Sequence, residues 1–105
     1  MIIKNDTYIN NEAIKTNLQR LTNQVYKLLP NWEEAIDWHK PLTTIIEEFS
    51  GMDMLFLDHH TILFALLCKL QGLFIFEKDE DFFLFRKTIF ECLNLVGGLK
   101  DNVAK

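Results

Sequence analysis

The sequence predicts an all-α protein, a small four-helix bundle, and three observations carry that prediction. Apolar residues recur at helical spacing in four separate stretches. Proline, glycine and acidic clusters fall between those stretches. At 105 residues, with 49% hydrophobic and 25% charged side chains, the composition suits a single helical domain over residues 1–105. That apolar content at a net charge of −4 excludes a disordered chain. The length excludes a two-lobed enzyme with its substrate between domains.

Residues 1–9 read as a short strand pair, because Ile2-Ile3 and Tyr8-Ile9 flank the turn-forming Asn5-Asp6. A hairpin so short stands only against other elements or another chain. The first helix is expected over residues 11–29. Ile14, Leu18, Leu21, Val25 and Leu28 form a narrow a/d seam among polar residues. Asn10 or Asn11 offers a cap, and Pro30 a stop.

The second helix is expected over residues 38–50, with Trp38, Leu42, Ile45, Ile46 and Phe49 on one face. Asp37 is its natural N-cap, Pro41 falls in its first turn, and Gly51 suits its end. The third helix starts at 54 or 59 and runs to 76. From Ile62 to Phe76, twelve of fifteen residues are apolar and cover every face, the pattern of a buried helix. Its small residues Ala65, Cys68 and Gly72 offer a strip for close helix approach. The fourth helix is expected over 81–97, opening on the acidic Asp79–Asp81 and closing at Gly97-Gly98. Phe82, Phe85, Ile89, Leu93 and Val96 form its stripe, and Leu99–Lys105 its frayed tail.

Charge and cysteine content narrow the function classes. No basic run exceeds Arg86-Lys87, so the phosphate-neutralising stripe of a nucleic-acid binder is missing. Cys68 and Cys92 lie 24 positions apart in apolar runs, which reads as two buried reduced thiols. The greasiest window, Met54–Phe76, contains Asp58, His59, His60 and Lys69, so no membrane span is expected. No apolar leader opens the chain, and the cytoplasm is the expected location. Nine Lys against two Arg, with eight Asn and ten Ile, is what AT-rich coding gives, as in a low-GC bacterium or its phages and plasmids.

The densest polar cluster in an apolar region is Asp58-His59-His60. This triplet resembles one motif of the DHH phosphoesterases, whose other aspartate-rich motifs are absent here. Metal-assisted hydrolysis around Asp58, His59 and His60 is thus one alternative function. The plainer reading makes Asp58 a helix cap and both histidines its exposed first turn. No Glu-x-x-His pair marks a dinuclear carboxylate bundle, and no glycine loop is built to cradle phosphate. Glu47 and Glu48 point about 100° apart on a helix and cannot converge on one atom. No catalytic residue, cofactor or enzymatic activity is therefore expected.

What exceeds the needs of one small core is aromatic surface. All nine Phe lie between Phe49 and Phe90. Phe83, Phe90 and Leu95 fall outside the main stripe of the fourth helix and are the expected interface anchors. The sequence thus reads as a non-enzymatic interaction module: an adaptor, accessory subunit or inhibitor. It would form a homodimer, or bind a larger protein, through an aromatic-rich helix face. A second alternative is an acidic mimic of nucleic acid that inhibits a basic partner.

Overall fold

In the computed structural model, residues 11–52, 56 and 60–103 are described; the expected hairpin at residues 1–9 lies outside them. All regular structure among the described residues is helical.

Helix α1 spans Asn11–Tyr26 and buries Leu18, Leu21 and Val25 along the seam visible in the sequence. It ends earlier than expected, and Pro30 is the cause. Proline has no N–H to give the carbonyl four residues back, which belongs to Tyr26, so the ladder is interrupted there. Rather than stopping the chain, Pro30 then sits in the first turn of α2, Leu28–Glu33, where no amide donor is needed. Helix α2 closes in a six-residue turn. The Ile36 amide donates to the Asn31 carbonyl at 2.8 Å and the Ala35 amide to Trp32 at 3.1 Å. Such a turn needs a left-handed residue, and here it is Ala35, at φ 58°.

Helix α3 spans His39–Ser50, with Pro41 in its first turn. Asp37 does cap it, one position earlier than a standard N-cap: its Oδ1 accepts the His39 amide at 3.0 Å. Helix α4, His60–Gly72, continues as a 3₁₀ turn over Leu73–Ile75. A second 3₁₀ turn, Asp79–Asp81, leads into α5, Phe82–Val103. The Asp81 carboxylate accepts the amides of Glu77 and Lys78 at 3.3 and 3.2 Å, which fixes the linker between them.

The expected stop at Gly97-Gly98 does not occur; α5 continues to Val103. Two glycines cost helix stability, but Leu99 beyond them is fully buried and Lys100 Nζ donates to Gln19 Oε1 on α1 at 2.7 Å. Tertiary packing overrides the local preference.

The helices pack in the ring order α1, α3, α4, α5, with α5 closing onto α1. Contacts fix the directions. Gln19 meets Lys100 and Tyr26 meets Phe90, so α1 and α5 run antiparallel. Ile62 lies beside Gly98 and Lys69 pairs with Glu91, so α4 and α5 do too. Arg20 of α1 reaches Glu48 near the end of α3, while Leu28 and Ile45 line one groove. His39 at the start of α3 stacks near Phe74 just past α4. The result is an up-down-up-down bundle. Its core is wholly apolar among the described residues, with Phe49 and Phe85 the largest fully buried side chains.

The third expected helix, α4, departs from its sequence pattern. It buries Leu63, Leu66 and Leu70 but leaves Phe64 60% exposed. Four helices in a ring have one inward stripe each, and among the described residues no fifth element covers the outside of α4.

Two backbone predictions follow from the turn and the glycines. Ala35→Gly removes the left-handed strain of an L-residue, offset by the greater freedom of unfolded glycine, and should stabilise by about 0.5–1 kcal/mol. Gly97→Ala should stabilise by a similar ~0.5–1 kcal/mol, since a Cβ there meets nothing within 4 Å. Each is measured as a higher denaturant midpoint at unchanged m-value.

Candidate interaction surfaces

The expected anchors separate once placed on α5. Phe83 is 68% exposed, on the pole opposite the buried Phe85. Phe90, one heptad later, is half-buried. Its ring meets Tyr26 edge-on at 6.0 Å, and the Arg86 guanidinium lies 5.0 Å over it. Phe90 thus seals the α1–α5 seam. Leu95 packs partly buried against the core and lies about 120° around the helix from Phe83. Phe83 alone of the three is largely open to solvent.

Its companions come from residues the sequence had assigned to a buried helix. Phe64, Cys68 and Ile75 follow one another down the outside of α4, at steps that keep them within roughly 40° of one face. Phe64 is 60% and Ile75 73% exposed, and Cys68 is exposed. The antiparallel register of α4 and α5 brings Ile75 to the level where α5 begins with Phe83 and the half-exposed Leu84. An apolar row therefore runs along α4, and two further exposed apolar side chains, Phe83 and Leu84, stand at the start of α5. Lys69 Nζ and Glu91 Oε1, 3.0 Å apart, bridge the two helices beside it. The strip of Ala65, Cys68 and Gly72 is not a helix-approach surface: a Cβ on Gly72 would meet nothing within 4 Å. Close approach occurs instead at Gly98, against Ile62.

The polar triplet divides. Asp58 and His59 lie outside the described residues. His60 is the first residue of α4, with its ring 6.3 Å from Phe64. Among the described residues no three His, Cys, Asp or Glu side chains converge as a metal site. No described helix is long and apolar enough to cross a membrane.

At the opposite flank lies an assembly that spacing alone did not single out. Trp32 and Trp38 stack at 5.5 Å, and both meet Phe85, at 4.4 and 4.8 Å. Beside them opens a cavity of about 300 Å³, whose lining includes Asp37, Glu77 and Asp79. A second groove of about 320 Å³ runs between α1 and α3, lined by Gln24, Lys27, Leu28, Asn31, Pro41 and Thr44, with Ile45.

The thiols differ in environment, although the sequence placed both inside. Cys92 is fully buried, and burial pushes its thiol up to about 12. Cys68 is exposed. On α1, Arg20 is held above its usual value by its hydrogen bond to Glu48. That exposed ion pair contributes little to stability.

Compared with models of protein families, with curated proteins and with solved structures, the chain matches none. The fold and surfaces define an all-α antiparallel bundle with uncovered apolar side chains, and function is argued from those surfaces alone.

Thiol chemistry tests these placements. One equivalent of a thiol reagent should react in native protein at neutral pH, at Cys68, and the second only on unfolding. Folding raises the Cys92 value from 9.0 to about 12, so the folded state keeps a proton that the unfolded chain loses. The associated stability is intact below pH 9 and lost as pH rises toward 12. Relative to Cys92→Val, the wild type should lose up to about 1.4 kcal/mol more per pH unit in that window.

Proposed function

We propose that this chain is a non-enzymatic interaction module that self-associates through the outer face of α4 and the start of α5. One observation carries the reading: Phe64, Ile75, Phe83 and Leu84 all stand in solvent on successive elements, helix α4, the 3₁₀ turn after it and the start of α5. A second copy is a natural cover, because a two-fold axis lets the same patch serve both partners. Phe83 is the favoured anchor. Phe90 and Leu95 lie to either side of it, with Phe90 supplying an aromatic edge and Leu95 a partly covered flank.

The size of the patch sets the strength. At roughly 100 Å² per side chain, these residues with Cys68 expose about 500 Å², short of the ~800 Å² per partner of a standard interface. Polar rim residues must supply the remainder. A reversible dimer with micromolar affinity fits better than an obligate one.

Sedimentation equilibrium from 5 to 200 μM is the test. A concentration-dependent shift from monomer to dimer is expected, lost in the Phe64→Ser, Phe83→Ser double variant with helical circular dichroism unchanged. Phe90→Ser should lower thermal stability more than it weakens association, because that ring seals an internal seam. A strict monomer across the range overturns self-association and leaves a larger protein as the occupant.

A further inference from the structure

The acidic residues are unevenly placed. The segments Glu33–Lys40 and Glu77–Asp81 meet at one end of the bundle. Together they hold Glu33, Glu34, Asp37, Glu77, Asp79, Glu80 and Asp81 against Lys40 and Lys78. That end carries −5, and the rest of the chain, with nine basic and eight acidic residues, carries +1. Between the two segments lies the cavity of about 300 Å³.

Its walls are of two kinds. The half-buried Trp32 and the half-exposed Ile36 supply apolar and π surface, while Trp38 is buried with its ring stacked on Trp32 and His39. Asp37, Glu77 and Asp79 supply carboxylates. Asp37 spends one oxygen on the His39 amide. Neither Glu77 nor Asp79 has an ion-pair partner among the described residues. Indole rings beside carboxylates favour an organic cation, which gains from the ring quadrupole and from charge together. The Trp pair is held rigidly, Trp38 being stacked also on His39 at 4.1 Å and in edge contact with Phe85.

We infer that this cavity binds a lysine or arginine side chain projecting from a basic peptide segment of a partner protein. Two features favour a peptide over a free small amine. The cavity accommodates one side-chain head, with Ile36 and the indoles sheathing its alkyl stem. Three further carboxylates, Glu33, Glu34 and Glu80, lie on the same segments outside it. A lone cation leaves them unused, whereas neighbouring basic residues of a peptide engage them. The surface is separate from the apolar stripe, so this inference stands or falls independently of self-association.

Nitrogen-15 NMR titration of the full chain tests it, with a blocked hexapeptide of alternating arginine and glycine as probe and arginine amide as the small-cation control. Saturable shifts at the Trp32 and Trp38 indole N–H groups are expected with the peptide, with at least tenfold weaker binding of arginine amide. Binding should weaken at least fivefold between 20 and 200 mM salt. The isosteric Glu77→Gln, Asp79→Asn double variant should lose at least fivefold in affinity at unchanged thermal stability. Trp32→Leu should lose a similar factor, with its amide spectrum reporting whether the fold persists. Unshifted indoles, or equal binding by the charge-neutralised variant, would overturn the assignment. Equal affinity for arginine amide would overturn the peptide as occupant.

Discussion

Phe85 is the side chain on which the rest of this bundle closes. It is fully buried, and it receives Trp32 from α2, Trp38 from the start of α3 and Phe76 from the α4–α5 linker. Those rings arrive from two stretches some forty residues apart in sequence, so one residue of α5 sets the spacing of the whole aromatic end. Removing a ring of this size from a packed interior costs about 3–5 kcal/mol, a large share of what a domain of this length has to spare. At the far end the core includes Phe49 among aliphatic side chains, and a buried Leu99 with a hydrogen bond from Lys100 holds α5 against α1.

A ring of four helices leaves each with an outer side, and the sequence of α4 does not respect that limit. Three of the four main helices turn mostly polar residues outward: Lys15 and Asn23 on α1, Thr43 and Glu47 on α3, Lys87 and Asn94 on α5. Helix α4 turns out Phe64 and Cys68, with Ile75 just beyond. Apolar side chains scattered singly over a surface need no explanation, but a row along one helix does. Covering that row is the demand that the proposed association meets.

Much of the architecture was legible because the apolar spacing was unambiguous. Leu18, Leu21 and Val25, and likewise Leu42, Ile45 and Phe49, face inward where their periodicity placed them. Boundaries were less legible because distant residues decide them. Gly97-Gly98 looks like a stop until Leu99 is seen to be buried, and Pro30 looks like a stop although it opens a new helix. In α4 the period itself was missing: a run apolar on every side cannot say which side faces in. On α5, Phe83 and Phe90 share a stripe, and only Tyr26 and Arg86 distinguish them. The Trp32–Trp38 pair had a signal that went unread. Both indoles flank the acidic Glu33-Glu34 and Asp37, and a second acidic run, Glu77–Asp81, precedes the helix that holds Phe85. Spacing along the chain could not show that the two runs meet.

The linker from Phe76 to Phe82 borders both surfaces, with Ile75, Phe83 and Leu84 outside and Glu77 and Asp79 at the cavity. Whether one surface senses the other depends on whether that linker has two arrangements of similar energy. Its anchoring argues against it. Phe76 packs on Phe85, Phe82 packs on Trp32, and the Asp81 carboxylate holds two linker amides between them. Shifting the segment would break both ring contacts together with both hydrogen bonds, and nothing on either surface offers the displaced rings another site. A ligand shifts such an equilibrium only by its differential affinity for the two states. The two proposed surfaces therefore sit on either side of a linker anchored at both ends.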